Sequence, residues 1–328
     1  MRTCKNTMGA LVLAVLITVW MAMPSTSQAA AKKYLSLGTG NPGGTFYFLG
    51  AGFASVMNKY VPEVRVIAES TAASEENFHL IWRKKMDLAI IAAGSTIEYA
   101  VEKKMDLSGI RLFCMGHTSD RHWIVRKESP VKSVSDFRGR KVAVGSPGSG
   151  ALLASRMELA DIGLAFDDFK PAYLSFSESI TAIKDQTVDV GCISAGYPVA
   201  SILDLARQIP IRLIPYSEEE MKVLIKKRLH RVKVIIPKGT YLGINVDTVT
   251  RGTPNGLFCG RDLDEDLVYK LMKALYDHPK EMYAIHPQAQ QWNLDNVFRG
   301  ADFPTQYIPF HPGSIKYLKE KGVWKGKS

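Results

Sequence analysis

The sequence predicts an α/β fold of two lobes, each a mostly parallel sheet flanked by helices, that close towards each other about a hinge. The chain has 328 residues, a length that suits two cores better than one. Short apolar strands alternate with amphipathic helices along most of it. The order strand, glycine-rich loop, helix, strand occurs twice, roughly a hundred residues apart, and short connections of this kind produce crossovers between parallel strands.

The first 31 residues have the pattern of an export signal. Arg2 and Lys5 precede an apolar run over 10–23, and the small residues at 29–31 suit cleavage by signal peptidase. A membrane-spanning helix needs about 20 apolar residues, which is more than this run provides. We therefore predict a signal peptide over 1–31 and a periplasmic protein, with a single uncleaved anchor as the alternative.

Strand and helix patterns alternate through the first lobe. Apolar runs predict strands at 34–37, 64–68 and 86–91. Helical spacing of apolar residues predicts a helix over 48–57, and Ser74 is a candidate N-cap for the next helix. The first glycine-rich loop therefore lies at the carboxyl end of a strand, which is the edge of a parallel sheet where ligands bind.

The same order of elements returns in the second half of the chain. A strand at 141–144 leads through the glycine-rich segment 145–150 into a helix over 151–159. Further strands are predicted near 172–174 and over 187–193. The second unit thus repeats the first and predicts a second lobe.

Two strands are predicted to cross between the lobes, at 121–125 and at 232–237. Lobe I then consists of residues 32–122 and 237–328, and lobe II consists of residues 123–236. The stretch after residue 237 is expected to be mostly helical, without a sheet of its own. Two such crossings form a hinge, and a hinge between lobes predicts closure around a ligand.

The two glycine-rich loops, 38–45 and 145–150, carry the functional prediction. Each leads from a strand into a helix, so free backbone N–H groups and the positive end of the helix dipole point at one spot. Ser and Thr hydroxyls add donors, and such a site binds a carboxylate or phosphate without a lysine. One loop from each lobe would hold a small anion from both sides of a cleft. Ordinary tight turns are the alternative for each loop.

A dinucleotide site is a weaker alternative for the first loop. Gly38, Gly40 and Gly43 fit the spacing G-x-G-x-x-G, and Glu69 ends the next strand. An exported protein meets little nicotinamide cofactor, however, and the second loop lacks this spacing. The sequence also contains no G-x-S-x-G, H-E-x-x-H or Walker A motif. We therefore predict a protein that is not an enzyme and that uses no cofactor, with an exported dinucleotide-binding enzyme as the alternative.

The distribution of charge and the spacing of the cysteines argue against a nucleic-acid partner and against a metal site. The formal net charge is +10, but the basic residues are scattered and the densest run, 226–231, suits the solvated end of a helix, so no nucleic acid is expected. Cys114, Cys192 and Cys259 share no metal-ligand spacing with each other or with histidine, so no metal site is predicted. Cys114 and Cys192 lie in apolar runs and are expected in the core.

Several side chains are ligand candidates because of their position alone. Ser95 follows the third strand at a step from loop to helix, and Tyr47 and Tyr197 are placed either to cover a ligand or to pack. Arg121 and Arg126 are the nearest cationic candidates for a salt bridge to an anion, with a surface position as the alternative.

Five blocks of the sequence, in order, resemble the TAXI solute receptors of tripartite ATP-independent periplasmic (TRAP) transporters. They lie at 37–47, 71–89, 141–150, 237–241 and 311–318. The most specific is Lys-Val-Ala-Val-Gly-x-Pro-Gly-Ser-Gly at 141–150. The resemblance implies the two-lobe Venus flytrap fold of periplasmic binding proteins. It also implies a receptor that captures a small organic anion, a carboxylate or an acidic amino acid such as glutamate, and delivers it to the subunits of an ion-gradient-driven membrane permease.

The resemblance and the positions together define the candidate ligand-binding residues. They are Thr39, Gly44, Thr45, Tyr47, Thr71, Ser74, Ser95, Ser146, Ser149, Gly150 and Tyr197. The chain departs from the family at 92–96, where Ala-Ala-Gly-Ser-Thr replaces a polar step that carries a carboxylate, and this change favours a ligand without an amino group. We expect a monomer, and a periplasmic ligand-sensing protein that feeds a signalling partner is the alternative function.

Overall fold

Ten strands and ten α-helices make up residues 32–324 and 326, the part of the chain that this computed structural model describes. The strands are β1 (Lys33–Gly38), β2 (Val64–Glu69), β3 (Leu88–Ala92), β4 (Ile110–Arg126), β5 (Lys141–Ala143), β6 (Lys170–Ala172), β7 (Gly191–Ala195), β8 (Ile211–Ile214), β9 (Val232–Ile236) and β10 (Thr248–Gly260). The helices are α1 (Thr45–Tyr60), α2 (Ser74–Trp82), α3 (Ala93–Glu102), α4 (Gly150–Asp161), α5 (Phe176–Lys184), α6 (Ala200–Gln208), α7 (Glu218–Lys227), α8 (Glu265–Tyr276), α9 (Pro279–Ile285) and α10 (Pro312–Glu320). The predicted signal peptide, 1–31, lies outside the described residues, within which no helix is long and apolar enough to span a bilayer.

One mixed sheet runs through the molecule, in the order β2-β1-β3-β10-β4, and β7 and β8 both pair with β4. β1 pairs in parallel with β2 and β3, as strands joined by crossover helices do. β10 is antiparallel to β3, β4 and β9, and β4 is antiparallel to β7 and β8. The sheet is therefore mixed rather than mostly parallel, because two long strands, β4 and β10, run through its centre in opposite directions.

β4 and β10 connect separate hydrophobic cores. Cys114 of β4 and Leu257 of β10 belong to the core that surrounds β1, β2 and β3. Further along β4, Trp123 and Ile124 belong to two neighbouring clusters formed by β5, β7, β8 and the helices α4 to α7, and Val249 of β10 packs against the first of these. The predicted α/β fold class with two lobes is thus confirmed. β4 contains the first predicted crossing, 121–125, whereas the second connecting strand is β10 and not the predicted 232–237, where β9 pairs only with the Thr248–Gly252 end of β10. The lobe boundaries themselves stay a prediction.

Within the described residues, the stretch after residue 237 has no sheet of its own and its regular elements are mostly helices, as predicted, but it also contains a strand that was not predicted, the 13-residue β10 at the centre of the common sheet. Gly252, Pro254 and Gly256 interrupt the apolar pattern of this segment, and such residues argue against a central strand in a sequence. The register of β10 against β4 shifts between Pro254 and Gly256, which accommodates the missing proline N–H. Tertiary pairing therefore overrides the local signal here.

Smaller shifts affect two strands of the second lobe. β6 covers Lys170–Ala172 where 172–174 is predicted, and β7 covers Gly191–Ala195 where 187–193 is predicted. The strand predicted at 121–125 is only the last part of β4, which starts eleven residues earlier, at Ile110. The remaining predicted strands are confirmed within two residues at each end. Cys114 and Cys192 are buried, as predicted, and Cys259 is buried with them. Burial raises the pKa of the Cys114 thiol to about 12, which suppresses thiolate chemistry at neutral pH.

Candidate functional site

A cavity lies where the first residues of four helices come together. Gly44 and Thr45 start α1, Ser74 starts α2, Ala92 precedes α3 and Gly150 starts α4. The other lining residues are Gly40, Asn41, Phe46, Ala72, Ala73, Ser95, Ser119, Ser149, Ala151, Ala154, Phe176, Ser194, Ala195, Arg251 and Thr253. The cavity volume is only about 30 Å³, so the lobes enclose a narrow space in this arrangement.

The four helix ends make the wall of the cavity electropositive. The first N–H groups of a helix have no acceptor within the helix. The aligned peptide dipoles add a partial positive charge of roughly half an electron at each such end. Backbone N–H groups at a helix N-terminus are a common binding site for carboxylate, sulfate and phosphate. Four ends around one cavity therefore favour a negatively charged occupant.

Arg251 of β10 is the one charged side chain among the lining residues that the structure describes, and it is only 1% exposed. Its Nε is paired with Glu158, and its Nη1 donates to Thr253 Oγ1 at 3.2 Å. Its Nη2 has no hydrogen-bond partner within the described part of the chain. A buried guanidinium nitrogen without an acceptor is costly, so this atom is the strongest single signal of an anionic ligand.

Two arginines share the carboxylate behind the cavity. Glu158 lies between Arg251 and Arg121, and all three side chains are at most 1% exposed. The contact from Arg121 Nε to Glu158 Oε1 is 2.6 Å, in a geometry that makes an ion pair without a well-aligned hydrogen bond. Burial acts to raise the pKa of Glu158, but Arg121 and Arg251 more than offset it, so the pKa is lowered and the carboxylate is charged at neutral pH. This trio retains one positive charge in excess.

Two hydroxyls at the cavity can add donors to that charge. Ser95 Oγ has no hydrogen-bond partner among the described residues, and its side chain is buried. Ser74 Oγ accepts a hydrogen bond from the Ala92 N–H at 2.9 Å, which leaves its own proton to be donated. Ser74 was predicted as the N-cap of α2, but it is the first residue of that helix, and Ala73 occupies the N-cap position.

Six of the eleven residues predicted from the sequence line the cavity. They are Gly44, Thr45, Ser74, Ser95, Ser149 and Gly150. Both glycine-rich loops are thus represented. Thr45 Oγ1 donates to the Gly196 carbonyl at 2.5 Å, so this hydroxyl joins α1 to the end of β7. The Glu76 N–H donates to the Gly148 carbonyl at 3.0 Å, which joins α2 to the second loop. These bonds hold the walls of the cavity together.

Ser149 serves the helix more than the cavity. Its Oγ donates to the Ser146 carbonyl at 2.7 Å and accepts from the Leu152 N–H at 3.1 Å, as the N-cap of α4. We expect Ser149→Ala to lower the free energy of unfolding by about 1 kcal/mol, measured by urea denaturation. Ser149→Asn, which retains the cap, should keep the stability of the parent. If Ser149→Ala were as stable as the parent and as Ser149→Asn, the cap would contribute nothing to stability.

Thr39 and Thr71 lie behind the cavity and hold its wall in place through Asn77. Thr71 Oγ1 donates to Asn77 Oδ1 at 2.7 Å, and Asn77 Nδ2 donates to the carbonyls of Thr39 and Ile90 at 2.8 and 2.9 Å. Thr39 Oγ1 donates to the Glu69 carbonyl at 2.7 Å. Both threonine hydroxyls are therefore occupied, and these residues order the loop without lining the cavity.

The same network holds Ala73 in a strained backbone conformation. Ala73 has φ of 83° and ψ of −138°, a region that residues with a Cβ rarely occupy. Its N–H donates to Thr71 Oγ1 at 3.0 Å, and its carbonyl accepts from the Asn77 N–H at 2.8 Å. Strain of this kind persists where the surroundings fix it, and here it lies on the wall of the cavity.

Three predicted residues lie away from the cavity wall. Tyr47 is 38% exposed, and Ser146 takes part only through its carbonyl, which accepts from Ser149. The Tyr197 carbonyl accepts from Gln288 Nε2. None of these three side chains lines the cavity.

The cationic residue of the site escaped the sequence-based prediction. Of the two arginines considered there, Arg126 pairs with exposed Glu128, and Arg121 is buried against Glu158 behind the cavity. Arg251 lies on β10, a strand that the sequence patterns do not predict. The signal available in the sequence is a lone arginine in an otherwise uncharged run over 248–260, the composition of a buried strand.

Comparisons with known proteins agree with this architecture. The model of the NMT1-like family matches residues 37–322. An aliphatic sulfonates-binding protein of Escherichia coli (strain K12) is 35% identical over 80 residues, which are 24% of this chain and 25% of the relative. The chain thus matches about a quarter of the length of that relative.

Solved structures with a similar fold have little sequence identity to this chain. A protein of Bordetella bronchiseptica RB50 has a TM-score of 0.55 and 14% identity, with 89% of this chain and 98% of that chain covered. The periplasmic aliphatic sulphonate binding protein of Escherichia coli has a TM-score of 0.49 and 17% identity, over 88% of this chain and 84% of that one. The relative that shares 35% identity over 80 residues is named as a binding protein, in agreement with the expectation of no enzyme. Because the family match spans nearly the whole described chain, the protein belongs to the NMT1-like family.

Proposed function

We propose that this protein is an extracytoplasmic solute receptor that captures a small organic anion between its lobes and delivers it to a membrane transporter. The observation that carries the proposal is the unpartnered Nη2 of buried Arg251, on the wall of a cavity formed by four helix N-termini. Export rests on the signal pattern over 1–31.

The energetics favour binding of an anion at this point. A buried donor without an acceptor costs about 1–3 kcal/mol, more when it is charged. An anionic oxygen against Arg251 removes that cost and forms a charge-assisted hydrogen bond, which is roughly twice as strong as a neutral one. Ser74 and Ser95 can donate to the same ligand. The donors for an anionic head group are thus already in place on the cavity wall.

Capture without conversion fits the lining of the cavity. Catalysis by acid, base or nucleophile requires a titratable or nucleophilic side chain within hydrogen-bond reach of a partner. Among the described lining residues there is no His, Cys, Asp, Glu or Lys, and Ser149 is occupied as a helix cap. Binding is therefore the activity that these side chains support.

The ligand class in the proposal includes sulfonates as well as carboxylates. The narrower prediction, a TAXI receptor that brings a carboxylate to a TRAP permease, has no support from the comparisons, since the relative named for its ligand binds aliphatic sulfonates. Both head groups present oxygens that suit a guanidinium fork and helix N–H groups.

Uptake measurements can distinguish a transporter driven by an ion gradient from one driven by ATP. The resemblance of the five sequence blocks to TAXI receptors implies a permease driven by an ion gradient. Uptake that collapses with the ion gradient while ATP is held constant would agree with those blocks. Uptake that follows ATP instead would assign the receptor to an ATP-driven transporter.

Thermal unfolding of the purified protein against a panel of anions, sugars and cations tests the binding function. A ligand of the native state raises the midpoint with the logarithm of its concentration over Kd. We expect several monocarboxylates or alkanesulfonates to raise it, and sugars and inorganic cations to leave it unchanged. A panel in which sugars shift the midpoint and anions do not would contradict the proposal.

A further inference from the structure

The cavity contains a fixed positive charge and no fixed negative charge. Arg251 is the one ionisable side chain among the described lining residues, and none of them is Asp or Glu. The remaining wall is made of helix N-termini, hydroxyls and small apolar side chains such as Ala151 and Ala154. An ammonium group in this space would therefore face positive potential from every side.

Two carboxylates behind the cavity, Glu158 and Asp161, are already paired with arginines. Glu158 is shared by Arg121 and Arg251. Further out, Asp161 Oδ2 pairs with Arg231 Nη1 at 2.7 Å and with Arg228 Nε at 3.1 Å. Asp120, which follows the lining residue Ser119 on β4, is the exception, because its Oδ2 has no hydrogen-bond partner among the described residues. Asp120 is not among the residues that line the cavity, so no described carboxylate belongs to the cavity wall.

Two carbonyl oxygens close to the cavity already accept hydrogen bonds. The Gly196 carbonyl accepts from Thr45 Oγ1, and the Gly148 carbonyl accepts from the Glu76 N–H. A buried ammonium group needs a carboxylate or several free oxygen acceptors to replace its water, and without them its burial costs several kcal/mol.

We infer that the site selects organic anions that carry no ammonium group, so that plain carboxylates or sulfonates bind and the corresponding amino acids do not. This inference rests on the proposed function and narrows its ligand class. Ligands with and without an ammonium group make the same attractive contacts through their acid group. The selection therefore arises from the repulsion between the positive charge of the cavity and the ammonium group.

Matched ligand pairs test this selection on the unmodified protein by isothermal titration. The pairs are butyrate and β-alanine, propane-1-sulfonate and taurine, and glutarate and L-glutamate. Members of each pair carry the same acid group and differ by an ammonium in place of a methyl group or a hydrogen atom. We expect the member without ammonium to bind at least about 100-fold more tightly in each pair that binds.

The outcomes separate the inference from the function on which it rests. Equal affinity, or tighter binding of the aminated member, would overturn the selection while the anion receptor stands. Failure of every acid in the panel to bind would contradict the proposed function, and the selection with it. Tight binding of glutarate and weak binding of L-glutamate would support the selection most directly.

Discussion

Replacing Arg251 with methionine is expected to weaken the binding of a small organic anion by at least about 100-fold while the protein stays folded. Arg251 supplies the excess positive charge of the cavity, and its Nη2 is the buried donor without a partner. Truncating one member of a desolvated charge pair typically costs about 2–5 kcal/mol of binding free energy. No other lining side chain within the described residues is charged, so none can replace it.

The fold should tolerate this substitution because Glu158 keeps a partner. Arg121 Nε remains 2.6 Å from Glu158 Oε1, so the buried carboxylate is not left uncompensated. Methionine retains most of the apolar stem of arginine and fills the space beside Ala154 and Thr253. The substitution leaves Arg121 and Glu158 as a simple ion pair. It also removes the repulsion between the guanidinium groups of Arg121 and Arg251.

Isothermal titration with the best ligand of the anion panel measures the effect, and urea denaturation checks the fold. Arg126→Met is the matched control, because Arg126 lies on the crossing strand β4 but pairs with exposed Glu128 away from the cavity. We expect the control to bind as the parent does. Loss of affinity in both variants, or in neither, would remove Arg251 from the role assigned to it.

The glycine-rich loops were predictable because their signal is local. A strand, a run of Gly, Ser and Thr and an amphipathic helix occur in succession, and this order alone locates the loops at strand ends. Which threonines line the cavity was not predictable. Thr45 lines it, whereas the hydroxyls of Thr39 and Thr71 donate hydrogen bonds to the Glu69 carbonyl and to Asn77 Oδ1. The direction of each hydroxyl depends on acceptors that are distant in sequence.

The charged trio behind the cavity depends on tertiary structure alone. Arg121, Glu158 and Arg251 come from β4, α4 and β10, and no spacing in the sequence connects them. The glycines and proline that hid β10 from the prediction also hid Arg251. A buried arginine is recognised only when its neighbours are known, because most arginines lie on the surface.

Asp120→Asn is expected to remove a large pH dependence of stability. Asp120 is buried on β4, where burial raises the pKa of its carboxyl to about 7, although the Thr118 hydroxyl, the backbone N–H of Tyr197 and the charges of Arg251 and Arg299 act to lower it. Thr118 Oγ1 donates to Oδ1 at 2.6 Å, and Oδ2 has no partner among the described residues. The protonated form is therefore the favoured one in the folded state at mildly acidic pH.

The sign of the effect follows from proton binding. Between the ordinary pKa of 3.8 and about 7, the folded protein holds a proton that the unfolded chain has released. The free energy of unfolding therefore falls as pH rises through this window, by a total on the order of 4 kcal/mol for this group alone. Asparagine resembles the protonated acid in shape and has no such proton to lose. The free energy of unfolding of the variant should therefore lack this decrease with rising pH.

Urea denaturation of parent and variant from pH 4.5 to 8 measures the difference in slope. The comparison is necessary because burial lowers the pKa of His117, His122 and His230 to about 3, and neutral buried histidines make stability rise with pH below about 6.5. These histidines are present in both proteins, so their contribution cancels in the difference. The variant should gain stability relative to the parent as pH rises to 7, whatever its stability at pH 4.5. Parallel curves would show that Asp120 is already ionised in the folded protein, with Arg251 and Arg299 as its compensating charges.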